Sequence, residues 1–149
     1  MISLFGFEGS LGDVPGRFHL IDGMAHCIPN ELGGRVRRLA ESYEIVWATG
    51  WEERANDRLP EILGLPEHLP FLTFANASFG TAHWKIDPID RYAGERPLAW
   101  IDDSIDPACE DWAATREAPT LLVHTDPAVG LTEAHVEALL SWVRAGYTA

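Results

Sequence analysis

Short apolar runs separated by amphipathic stretches constrain this chain more than any other feature. Residues 2–7, 44–48, 70–74, 97–101 and 120–124 are strand-length apolar runs bounded by Gly, Pro or acidic residues. Between them lie longer segments in which apolar residues recur at helical spacing. That alternation predicts an α/β fold: an open, mostly parallel sheet with helices on both faces. The chain has 149 residues, of which 46% are hydrophobic and 23% charged. One core of ordinary size follows, and residues 1–149 read as a single domain.

The helices can be placed from caps and faces. Asn30 is positioned to cap a helix in which Leu32, Val36, Leu39, Ala40 and Tyr43 share a face, with Arg35, Arg37 and Arg38 largely opposite. Residues 52–63 predict a second helix, acidic in its first turn where the dipole favours it, which Pro60 should bend or end. Residues 84–92 form a polar connection with some helical character. Asp106 and Pro107 open a helix carrying Cys109, Trp112 and Ala113, and Thr132 caps a last one with Val136, Leu139, Leu140 and Val143 inward. Residues 11–29, broken by Gly, Pro, Asp and His, read as an irregular excursion with an extended piece at 18–21. The six tryptophans, 47, 51, 84, 100, 112 and 142, fall mostly at strand or helix positions suited to a core role.

Charge narrows the partners. Eleven Lys plus Arg against 23 Asp plus Glu give a formal charge of −12, a field that repels phosphate backbones and anionic membranes. Neither nucleic acid nor a membrane is expected as a general partner, although a locally positive pocket can hold a small phosphorylated or anionic ligand. The N-terminal residues lack the basic flank and long apolar core of a signal peptide, no apolar stretch approaches a membrane span, and a cytoplasmic location is expected. Cys27 and Cys109, without metal-ligand spacing, are expected to be buried free thiols.

In a parallel sheet, ligands bind beyond the carboxyl ends of the strands. The candidates there are residues 6–9, Thr49-Gly50, Lys85 in a connection, and Asp102-Asp103. The acidic pair directly after Leu98-Ala99-Trp100-Ile101 has the hard oxygen donors that suit Mg²⁺, or else one acid caps the next helix. Thr49 and Gly50 offer a hydroxyl and backbone N–H groups to an anion, or form only a turn. Lys85 is a cation for such an anion, or a solvated surface residue.

Together these segments resemble the haloacid-dehalogenase-like (HAD-like) superfamily. Its D-x-D-G-[TS]-L motif corresponds here to Gly6-Phe7-Glu8-Gly9-Ser10-Leu11. Its Thr or Ser after the second strand corresponds to Thr49, its Lys to Lys85 and its late acidic pair to Asp102 and Asp103. Trp51-Glu52-Glu53-Arg54-Ala55-Asn56 and residues 120–132 also resemble segments of small bacterial proteins of this type. The resemblance implies a Rossmann-like sheet without a large cap. It further implies that Thr49, Gly50 and Lys85 hold phosphate, and that Glu8, Asp102 and Asp103 hold a weakened Mg²⁺. The nucleophilic aspartate is replaced by Gly6, which has no side chain and closes the aspartyl-phosphate route. Glu8 is one methylene longer than the family's acid–base aspartate.

Three functions follow as expectations. The first is a degenerate phosphohydrolase relative that binds a ligand or a protein partner without turnover. The second is a hydrolase by another route, through a metal-bound water or an acid such as Asp13 or Asp22. The third is a structural or oligomerising module. A response-regulator-like domain also carries an acidic pair and a lysine, but it places the pair after its first strand, whereas here the pair follows residue 101.

Overall fold

A computed structural model describes residues 1–4 and 14–147. Gly6, Glu8 and Asp13 lie outside the described residues, as does most of the expected first strand. The first elements are β1, Gly16–Ile21, and β2, Met24–Pro29. They pair antiparallel from Gly16↔Pro29 to Ile21↔Met24. Residues 16–29 are therefore a hairpin and not an irregular excursion, and the extended piece expected at 18–21 lies within β1. The reason is the two-residue turn: Asp22 and Gly23 both take positive φ, 50° and 77°, as a tight hairpin turn matching strand twist requires.

Helix α1, Leu32–Ala40, buries Leu32, Val36 and Leu39, and it starts one residue later than expected. Glu31, not Asn30, occupies the N-cap position and makes no side-chain capping bond. The second expected helix is composite, with a 3₁₀ turn at Glu52–Arg54 and then α2, Ala55–Leu63. Pro60 does not end it. Its ring is buried inside the helix, which continues to Leu63 and stops at Gly64 in the left-handed conformation, φ 65°.

Beyond this, a 3₁₀ turn at His83–Lys85 leads into α3, Ile86–Ala93. Strand β3, Leu98–Asp102, is followed by α4, Pro107–Thr115, by β4, Thr120–His124, and by α5, Glu133–Arg144. β3 and β4 pair in parallel from Leu98↔Thr120 to Asp102↔His124. The runs at 44–48 and 70–74 are reduced to one parallel bridge, Trp47↔Phe71, with Trp47 N–H on the Pro70 carbonyl at 2.8 Å. The fold is α/β, but among the described residues the strands form two separate two-stranded sheets and not one open sheet.

Apolar burial explains how these pieces hold together. One cluster joins α1, α2 and α5 through Leu32, Leu59, Leu63, Val136 and Leu139 to Trp47 and Val123. A second joins Trp100 and Cys109 to Leu72, Ala82 and Ile89. Trp47, Trp100 and Trp142 are buried as expected, whereas Trp51, Trp84 and Trp112 are half-buried. Both cysteines are free and buried, and burial pushes both thiols up from their ordinary range. Among the described residues, no helix is long and apolar enough to cross a membrane.

Candidate anion-binding cavity

The carboxyl end of β3 and the turns after residues 48 and 82 converge on one cavity of about 590 Å³. Thr49, Lys85, Asp102 and Asp103 all line it, together with Ser3, His26 and Trp51. The four resembling residues are thus brought together from three separate stretches of chain. Gly50 is not in the cavity wall; it is exposed, and a Cβ there would stand 4.0 Å from Trp84 Cη2. Gly6 and Glu8 lie outside the described residues.

Lys85 and Asp102 form the tightest unit. Lys85 Nζ donates to Asp102 Oδ2 at 2.6 Å, with side chains only 12% and 8% exposed. The other oxygen of Asp102 accepts the Ser104 N–H at 3.0 Å, so the buried carboxylate is satisfied on both sides. Lys85 is therefore not a solvated surface lysine. Trp84 flanks it, with Nζ 5.1 Å from the ring centroid, and Trp84 is itself packed edge-on by Phe74 at 4.8 Å. An ammonium has three donors, so Lys85 keeps capacity for a ligand oxygen after serving Asp102.

Asp103 faces a second cation. Its Oδ2 accepts from the Met1 ammonium at 2.9 Å, and Oδ1 from the Ser104 hydroxyl at 3.3 Å. Burial pushes this carboxyl up, but the ammonium and the hydroxyl outweigh it and hold Asp103 below the usual carboxylate range. Thr49 lines the same cavity. Its hydroxyl accepts the Trp51 N–H at 3.3 Å and its carbonyl accepts the Glu52 N–H at 2.9 Å. Glu52 sits at φ 50°, unusual for a residue with a Cβ, and its carboxylate takes the Phe74 N–H at 2.8 Å.

The donor set does not fit Mg²⁺ by itself. Among the described residues, no group of three or more His, Cys, Asp or Glu could hold a metal ion. Asp102 and Asp103 supply two carboxylates, and all four oxygens already accept hydrogen bonds. Each oxygen keeps a second lone pair, but Lys85 and the Met1 ammonium already balance the two charges.

Two residues, Ser3 and His26, and a second role of Asp106 escape a reading of the sequence. Asp106 was legible as a helix opener, but its carboxylate also accepts the Ala82 and His83 N–H groups, both at 3.1 Å. It thereby ties α4 to the turn that carries Lys85. Ser3 and His26 meet inside the cavity at 2.9 Å. Contacts between residues more than twenty positions apart leave no local pattern to find.

No curated protein and no solved structure matches this chain. A family model described as the HAD domain in Swiss Army Knife RNA repair proteins matches residues 14–136. That span contains Thr49, Lys85, Asp102 and Asp103 and begins after the Gly6–Leu11 segment. With most of its length matched, the chain belongs to this family of HAD domains.

Proposed function

We propose that this domain holds the phosphate group of a small phosphorylated ligand between Lys85 and Thr49, and does so without an aspartyl-phosphate intermediate. The observation that carries the reading is Lys85, fixed on Asp102 in a cavity it shares with Thr49. Asp102 holds the ammonium in place, so an arriving phosphate meets an ordered donor. Gly6 supplies no nucleophile. On this reading Mg²⁺ binds weakly, because Lys85 and the Met1 ammonium already neutralise the acidic pair. The parallel pair β3–β4 and the parallel Trp47–Phe71 bridge are proposed to belong to one open Rossmann-like sheet, and the free thiols suit a cytoplasmic setting.

Thermal melting with inorganic phosphate tests this. A ligand at a hundred times its Kd stabilises by about 2.7 kcal/mol, so Tm should rise by several degrees in the unmodified chain. Lys85→Ala should abolish the rise. An equal rise in that variant, or no rise in the unmodified chain, would exclude the reading and favour a structural module.

The family's description favours a second form of the ligand, a phosphate at the end of an RNA strand. The charge of −12 still opposes a grip on the strand itself, so only the terminal phosphate would enter the cavity.

A further inference from the structure

Ser3 Oγ and His26 Nδ1 are 2.9 Å apart. Both residues are buried, at 8% and 5% exposure, and both line the cavity that holds Thr49, Lys85, Asp102 and Asp103. The imidazole is held edge-on against Trp51, with ring centroids 5.0 Å apart at 89°, which fixes its plane relative to the serine.

The chain itself limits how far this pair can stand from the anion-binding groups. Met1, whose ammonium is on Asp103, precedes Ser3 by two residues, and Trp51, which touches His26, follows Thr49 by two. Two residues span roughly 7 Å at most. Ser3 and His26 thus stand on stretches of chain that adjoin the anion-binding groups, and all of them line one cavity.

We propose that Ser3 is a nucleophile and His26 its base, for hydrolysis of a phosphate ester by a route that uses no side chain at position 6. A hydroxyl is a poor nucleophile until an adjacent base takes its proton, and this pair has that geometry. In the tautomer with the proton on Nε2, Nδ1 accepts from Ser3. Ser3 Oγ attacks phosphorus, the bond from phosphorus to the ester oxygen breaks, and the serine proton passes through His26 to the departing alkoxide. Water then attacks the phosphoserine, His26 takes a water proton and returns it to Ser3 Oγ, and inorganic phosphate leaves. One water is consumed and one alcohol released. The proposal depends on the phosphate-holding reading only for what grips the phosphoryl oxygens.

A reactive fluorophosphonate, with peptide mapping of the labelled intact chain, tests the pair without any known substrate. Labelling at Ser3 is expected in the unmodified chain. His26→Ala should slow it by about 100-fold or more, and added imidazoles should restore part of the rate in the order of their basicity, which mere filling of the cavity would not produce. Absence of label at Ser3 in the unmodified chain overturns the proposal whatever the variants do. Equal labelling with and without His26 also overturns it. A phosphate-induced rise in Tm with Ser3 unlabelled removes only this proposal, whereas labelled Ser3 with no such rise removes only phosphate holding by Lys85.

Discussion

The Asp106 carboxylate serves two elements at once. Oδ1 accepts the Ala108 and Cys109 N–H groups at 3.0 and 3.3 Å, capping α4. Oδ2 accepts the Ala82 and His83 N–H groups and faces His83 Nδ1 at 3.0 Å, immediately before the turn that aims Lys85. Burial pushes this carboxyl up, but the His83 imidazole and the N–H groups of Ala82, His83 and Cys109 hold it well below the usual range. Asp106→Ala removes a helix cap and strands further N–H groups, so a loss of about 2–4 kcal/mol is expected. The phosphate-induced rise in Tm should shrink with it, since the turn that carries Lys85 loses its tie to α4. Asn at this position has one accepting oxygen and can serve α4 or the 82–83 turn, not both, and should fall between. The pH dependence follows in sign. A carboxyl depressed in the folded state stabilises fully above its unfolded value, about 3.9, and loses that contribution as pH falls below it. Melting from pH 6 down to pH 2 should show a shallower acid decline in Asp106→Ala than in the unmodified chain; parallel curves would refute the assignment.

Element by element, the caps decide how well α5 is defined. Thr132 accepts the His135 N–H at 3.3 Å, and His135 Nδ1 accepts the Thr132 N–H at 3.1 Å, a reciprocal box with histidine in place of the usual Glu or Gln. Thr132→Ala should cost about 1 kcal/mol and lower Tm by roughly 2–4 °C, with Thr132→Ser nearly neutral; a drop below a degree would show that packing of Val136 and Leu139 alone fixes the helix start. This cap, like Asp106-Pro107 and the run 98–101, was legible because its signal is local. The hairpin had local signals too, the extended piece at 18–21 and Asp22-Gly23, but its second strand, Met24-Ala25-His26-Cys27-Ile28-Pro29, shows no clean apolar alternation. At 44–48 and 70–74 the apolar content was read correctly, yet pairing depends on a distant partner, and a single bridge forms. The site divides in the same way. Lys85 and Asp102 could be named from type and order, but their contact at 2.6 Å, like that of Ser3 with His26, exists only once the chain has folded.

At the scale of the whole molecule, the positive charge is largely spent internally. Arg38 pairs with Glu133 and Glu137, Arg54 with Asp22, Arg96 with Glu44 and Arg116 with Asp90. Against a net charge of −12, these pairs leave no evident basic track along which a strand could lie, while Lys85 remains turned into the cavity. Binding of an RNA end should therefore depend on salt as a single phosphate contact does. For single strands, log K falls with log salt by about 0.7 per phosphate neutralised. A 5′- or 3′-phosphorylated oligonucleotide should thus give a slope near −0.7, and removing the terminal phosphate should abolish binding. Lengthening the strand should add little, since each further backbone phosphate meets the net negative field. A slope of about −3 or steeper, or affinity that grows with length, would mean that the strand itself is gripped and that the cavity is not where recognition is decided.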